Sequence, residues 1–173
     1  GPPMSKLCEK ASNNKIKVLI GGDGVDEISG GYNTMMELIR KKNLDKFSTH
    51  KTLALNSPNF IKKNKYYYEF EKNINNERSN IMIKLRKVKN YRERLINSLL
   101  IQDTGSFLQM CTLPHSDEYS MFNSVELRNP FLDLDLVKYI INEPINRKIS
   151  RNQNKIIFKK LAIKTLGKFI DTK

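Results

Sequence analysis

Apolar positions along this chain fall into two rhythms. Most recur at three, four and seven residues, the spacing of a helix with one buried face. Leu7, Cys8 and Ala11 predict a short helix over 5–14, and Met35, Met36, Leu38 and Ile39 predict another beginning near Tyr32. A helix over 44–55 is expected to stop before Pro58, with a loop over 56–65. Ile81, Leu85, Val88, Leu95 and Leu99 predict one amphipathic helix over 80–101, and 103–110 reads as a further helix ended before Pro114. Leu134, Val137, Ile140 and Ile141 mark a helix closed by Pro144. Ile156, Ile157, Leu161 and Leu166 mark the last, with Gly167 as a fitting C-terminal stop.

The second rhythm occurs once. Ile16–Ile20 is an apolar, β-branched run of strand length that ends in Gly21-Gly22. Helix, strand, loop and helix in that order is the alternation of an α/β fold, which takes its ligands at the carboxyl ends of parallel strands. One strand cannot make a sheet, because its backbone donors and acceptors stay unpaired on both edges. Either segments such as Tyr66–Phe70 supply partners, or the other strands lie outside the chain. The expected fold is an α/β-family domain. This chain would be its mostly α-helical part, with one clear strand (Ile16–Ile20) from a parallel sheet that is largely missing.

Composition changes this picture little. A net charge of +13 raises the question of nucleic acid. Basic residues are densest over 61–94, where Asn interrupts them, and elsewhere they are spread thinly. Tyr66, Tyr67 and Tyr68 have the chemistry to stack on bases, but a half-buried element edge is the plainer expectation. Nucleic-acid binding is therefore not expected. No apolar run approaches the ~18–20 residues of a membrane span, and the start lacks a signal-peptide pattern. A cytoplasmic protein with no membrane partner is expected. Because the chain opens on Gly1 rather than Met, that start is read as processed, cloned or cut from something longer. Cys8 and Cys111 have no zinc-like spacing and are expected as reduced thiols. His50 and His115 also stand alone.

The chemistry concentrates in Gly21-Gly22-Asp23-Gly24-Val25-Asp26-Glu27. Glycine lets a backbone approach a ligand closely. Carboxylates beside it suit Mg²⁺, a hard cation usually shared with phosphates. The spacing does not match a calcium-binding EF-hand loop. A plain acidic turn remains open on spacing alone.

Three blocks carry a resemblance to a known family. The stretch from Val18 to Tyr32, reading VLIGGDGVDEISGGY, is similar to VLSGEGADELFGGY of the asparagine synthetases. The stretch from Asp117 to Asp133, reading DEYSMFNSVELRNPFLD, resembles that family's DRxSMxxSLExRxPFLD. Asn154-Lys155-Ile156-Ile157-Phe158-Lys159 is similar to its GKxxLR. The chain is thus identified as resembling the glutamine-hydrolysing asparagine synthetase family, in its C-terminal synthetase domain of the PP-loop, ATP-pyrophosphatase type. The resemblance implies ATP and Mg²⁺ as cofactors and a carboxylate substrate, by default aspartate. The carboxylate would be adenylated and then amidated by ammonia from a glutaminase domain or a partner chain. It implies catalytic roles for Asp23, Lys155 and Tyr32, and nucleotide binding by Gly21, Gly22, Asp23 and Gly24. It also implies Asp26 as metal ligand, and site support from Glu27 and from Glu126 and Arg128, as a buried pair.

The departures from the pattern matter. Gly21 replaces a Ser, Asp23 a Glu, Val25 an Ala, and Glu118 an Arg. Asp23 is a methylene shorter, a shift of over ~1 Å for its carboxylate. Within residues 1–173 there is no SGGxDS phosphate loop and no glutaminase domain. The whole chain is therefore expected to be one C-terminal portion of a synthetase domain, inactive alone, with a possible partner polypeptide carrying the rest of the sheet. A specialised amidotransferase, a lactam- or macrolactam-forming synthetase, and a degenerate non-catalytic binding module are the alternatives.

Overall fold

The computed structural model describes residues 2–40 and 65–167. The helix expected over 44–55 lies outside them, as does the following loop up to its last residue. In order, the elements are α1 (Pro2–Asn13), β1 (Val18–Ile20), α2 (Val25–Ser29), α3 (Asn33–Arg40), α4 (Lys65–Lys84) and α5 (Tyr91–Gly105). A π-helical turn (Leu108–Thr112), α6 (Leu113–Phe122), β2 (Glu126–Arg128) and a 3₁₀ turn (Pro130–Leu132) follow. The last three are α7 (Leu134–Asn142), α8 (Ile145–Lys148) and α9 (Ile156–Leu166). The described chain is mostly helical, with a small parallel sheet, as a partial α/β domain should be.

The sheet corrects the expectation of where a partner strand would come from. Residues 66–70 lie in α4, so they pair with no strand. The partner of β1 is β2, in parallel register with Val18 opposite Glu126, Leu19 opposite Leu127 and Ile20 opposite Arg128. β1 is also shorter than Ile16–Ile20. Because side chains alternate faces along a strand, Leu19 and Leu127 turn to one side and are half-buried. Val18, Ile20, Glu126 and Arg128 share the other side and are exposed. Parallel sheets are normally covered on both faces, and Ile20, 70% exposed, stands out against that rule.

The core lies where α3 and α5 meet. Met35 and Leu38 from α3 pack with Leu95, Ile96, Leu99 and Leu100 from α5 and with Ile149. At ~1.5–3 kcal/mol for each large apolar side chain fully buried, this cluster is what fixes α3 on α5. Lys148 is fully buried beside it. Its Nζ donates to Asn97 Oδ1 and to the Ile141 carbonyl, both at 2.9 Å. Burial lowers the ammonium pKa to about 8, with Glu93 and Glu143 pulling the other way.

Two helix boundaries differ from the sequence pattern. The helix expected over 80–101 is two helices, since α4 ends at Lys84 and α5 begins at Tyr91. The apolar spacing runs through the break, but Asn90 caps α5 by accepting from the Glu93 backbone N–H at 3.1 Å. Asn-x-x-Glu is the sign of a helix start. Here the Glu93 carboxylate accepts instead from the Ile145 N–H, at 3.1 Å, and so ties α8 to α5. The second difference concerns Pro114. The helix expected over 103–110 does not end before it. The π turn runs directly into α6, whose second residue is Pro114, so the helical backbone continues through the proline. The helices closed by Pro144 and by Gly167 stand where the pattern put them, as α7 and α9.

Candidate functional site

The glycine–carboxylate loop leaves the carboxyl end of β1, and the Gly21 N–H continues the ladder onto the Arg128 carbonyl at 2.8 Å. Gly24 has φ +94° and leads into α2. A side chain there would be strained, and its Cβ would fall 2.1 Å from Leu132 Cδ2. The Pro-Phe-Leu-Asp segment is thereby packed directly onto the loop. Gly22 is exposed and a Cβ there would meet nothing within 4 Å, so it is an open approach to the loop.

Asp26, near the start of α2, meets Lys155, at the start of α9. Lys155 Nζ lies 2.8 Å from Asp26 Oδ1, with both side chains about one-third exposed. Two features hold this pair. Lys155 has a left-handed backbone, φ +51°, a conformation uncommon for a non-glycine residue and concentrated at functional sites. Gly31 lies between the partners: a Cβ there would stand 1.8 Å from Asp26 Oδ1 and 2.3 Å from Lys155 Cε. The Gly31 N–H donates to the Asp26 carbonyl at 2.9 Å. Its own carbonyl accepts from Asn154 Nδ2 at 2.6 Å, and Lys159 Nζ donates to Asn154 Oδ1 at 3.2 Å. The turn before α9 is therefore stitched to the turn after α2 beside a residue without a Cβ.

Glu27 points the other way. It is 2% exposed and accepts the Tyr32 hydroxyl at 2.5 Å. Burial and then Glu27 raise the Tyr32 pKa, so the phenol stays protonated as a donor. The Tyr32 ring meets Phe107 edge-on at 6.2 Å. Behind them Asp103 is pushed up to about 7, first by burial and then by Glu27, with Arg78 opposing. Arg78 is itself buried and bonded to Gln102 Oε1 at 3.3 Å.

Asp23 receives a long contact from Asn129 Nδ2, 3.4 Å from its Oδ2. Asn129 also accounts for Gly21. A Cβ at Gly21 would fall 2.2 Å from Asn129 Oδ1, so the Ser of the resembled pattern would require the Asn129 amide to move. Asn129 stands one residue beyond β2 and is a site residue that the sequence pattern did not single out. Asn154, Gly31 and Asp103 are others. The only signals for them were the doubled glycine and the Asn before Lys155.

Glu126 and Arg128 correct an expectation. They do pair, Arg128 Nε to Glu126 Oε1 at 2.7 Å and Nη2 to Oε2 at 3.1 Å. The pair is exposed rather than buried, at 61% and 55% for the two side chains, and alternate positions on one strand face explain how they meet. That bond to Arg128 holds the Glu126 carboxyl below its usual range. His115 also does not stand alone. Its Nδ1 is 2.7 Å from the Cys111 carbonyl and 3.7 Å from Cys111 Sγ, and its ring stacks on Tyr119.

Could the loop hold Mg²⁺? Glu27 is committed to Tyr32, and Asp23 faces Asn129. Asp26 is the loop carboxylate that combines partial exposure with a position beside a cation. Among the described residues no group of three or more His, Cys, Asp or Glu is placed to hold a metal. One carboxylate fits Mg²⁺ of the kind shared with phosphates, which keeps most of its ligands as water and phosphate oxygens, and it does not fit an all-protein metal cage. No described helix is long and apolar enough to cross a membrane.

The sequence profile of the asparagine synthase family matches residues 1–170. No curated protein and no solved structure gives a match.

Proposed function

The chain belongs to the asparagine synthase family, and from that premise we propose that Asp26 and Lys155 form half of a site where ATP activates a carboxylate for amide formation. The family points to an ATP-dependent amide-forming synthetase. The observation that carries the finer reading is the Asp26–Lys155 contact across Gly31.

In the proposed reaction a substrate carboxylate oxygen attacks the α-phosphorus of ATP and pyrophosphate leaves with its electron pair. Ammonia then attacks the acyl carbon and AMP departs. Lys155 would meet the negative charge that grows on the phosphates, and a preorganised cation costs no rearrangement at that moment. Asp26 would hold Mg²⁺, which would neutralise the phosphate oxygens. Before nucleotide arrives, Lys155 and Asp26 satisfy each other. Phosphate and metal offer each a new partner of the right sign, so the exchange leaves no charge stranded. Tyr32, clamped by Glu27, would form the wall beside the reacting carboxylate, and Asn129 would orient the shorter Asp23.

The remaining strands and the SGGxDS phosphate loop are proposed to come from a further segment or partner polypeptide. The exposed Val18 and Ile20 on a parallel sheet support that. The nitrogen source, and aspartate against a specialised amide- or lactam-forming substrate, stay with the reading's default of ammonia and aspartate. In the complete assembly, Asp26→Ala and Lys155→Ala should each lower carboxylate-dependent pyrophosphate release by at least ~100-fold. If neither changes it, the reading of these two residues fails.

A further inference from the structure

One buried charge takes no part in the site described so far, yet it stands in the stretch of chain that leads to Lys155. Lys148 ends α8, and its side chain is fully buried. Taking an ammonium out of water is costly unless the contacts it gains are good ones. A methionine would fill much the same space without that cost. What the ammonium adds is bonding in two directions. Its Nζ donates to Asn97 Oδ1, midway along α5, and to the Ile141 carbonyl. That carbonyl is one of the last of α7, which a helix leaves without partners of its own. The last turn of α7 carries no basic residue, so Lys148 supplies the positive charge that a helix C-terminus favours. Two carboxylates attract it, Glu93 of α5 and Glu143 after α7. Glu93 also accepts from the Ile145 N–H, at the start of α8. One side chain thus fastens the end of α8 to α5 and to α7.

Residues 149–154 connect this anchor to Lys155, and bonds hold the run at several points. Ile149 enters the core. The Ser150 N–H donates to the Gln153 carbonyl at 2.7 Å, and Ser150 Oγ accepts from the Gln153 N–H at 3.1 Å, closing a turn. Arg40, the last residue of α3, donates from Nε to the Arg151 carbonyl at 2.7 Å. Asn154 is bonded to Gly31. A run pinned this closely has little slack to absorb a displacement of its first residue. We infer that Lys148 is a positioning residue: it fixes where the chain leaves α8, and through residues 149–154 where Lys155 stands against Asp26. It touches neither nucleotide nor substrate. The inference rests on the proposed function for its effect on the reaction, and on the fold alone for its effect on Lys155.

The test is Lys148→Met, which keeps the length of the side chain and removes its donors. In the 173-residue chain without nucleotide, the backbone amide NMR signals of Asn154 and Lys155 should shift in this variant, along with that of Gly31. A role confined to holding the helices together would move only signals of α5, α7 and α8. In the complete assembly, competent sites are counted from the stoichiometry of ATP binding. Pyrophosphate release per site should fall roughly tenfold, in kcat rather than in KM for ATP, because Lys155 acts on charge that appears in the transition state. A merely structural loss would lower the number of sites and leave the rate of each at the parent value. Asn97→Ala removes the α5 acceptor while the lysine remains. It should give the same pattern to a smaller degree, and it carries the test if Lys148→Met does not fold. Unmoved Asn154 and Lys155 signals in a folded variant overturn the inference. So does an unchanged rate per site in an assembly that Asp26→Ala inactivates. If Asp26→Ala leaves pyrophosphate release intact, the nucleotide reading fails instead, and the Asn154 and Lys155 shifts alone decide Lys148.

Discussion

Two ion pairs of nearly equal length flank the loop, and they mean different things. Glu126–Arg128 closes at 2.7 Å and Asp26–Lys155 at 2.8 Å. The first joins residues two apart on one strand, both more than half exposed. Alternation of side chains brings them together, and water competes for both. Such pairs are worth little. The second joins α2 to α9 across most of the described chain. It is held by a left-handed Lys155, by a glycine that leaves no room for a Cβ, and by the Asn154 bond to Gly31. Three separate constraints maintain its geometry, and none of them acts on the first pair. Distance alone would rank the two pairs the other way.

The largest effect should come from Gly31→Ala. A methyl cannot coexist with the Asp26 carboxylate where it stands, so the Asp26 and Lys155 side chains must leave their present positions. Pyrophosphate release by the complete assembly should fall by ~100-fold or more. Stability should drop by ~1–3 kcal/mol from the overpacking, read by denaturant titration of the chain. Retention of both would place the constraint elsewhere and remove the contrast between the pairs.

A middle-sized effect is expected at Asp103. Its folded pKa is raised from 3.8 to about 7. The folded protein therefore keeps a proton that the unfolded chain releases, and the stability this gives is full below pH ~4 and lost as pH rises through 7. Asp103→Asn should remove that loss. Its melting temperature relative to the parent should climb between pH 4 and 7 and then level. Parallel curves across that range would show that Asp103 is not held as an acid behind Glu27 and Tyr32.

The smallest effect belongs to the exposed pair. Arg128→Ala should leave the melting temperature of the chain unchanged within error. A clear drop would mean that the pair braces the sheet after all.

These contrasts also explain what was legible in the sequence. β1, α7 and α9 were visible because each has its own apolar rhythm and its own stop, at Gly21, Pro144 and Gly167. β2 was not, because Glu126-Leu127-Arg128 has one apolar residue and a charged outer face. The break between α4 and α5 was hidden by apolar spacing that runs through it, although Asn90 and Glu93 marked it. In the site, the loop announced itself through adjacent glycines and carboxylates. Lys155 entered only through a resemblance, since nothing local distinguishes it from its many neighbouring lysines. Asn129 to Asp23 spans 106 positions and Asn154 to Gly31 spans 123. Contacts that long have no local sign, and they are the ones that set the site's shape.

The central claim is that Asp26 stands ready to trade Lys155 for a metal carried by phosphates. ATP affinity of the complete assembly, measured with and without Mg²⁺ for the parent and for Asp26→Asn, tests it most directly. Asparagine keeps the shape and the contact with Lys155 but removes the charge. The account predicts that Mg²⁺ tightens ATP binding to the parent, and that in Asp26→Asn most of that tightening is gone. An equal gain from Mg²⁺ in both proteins would contradict it.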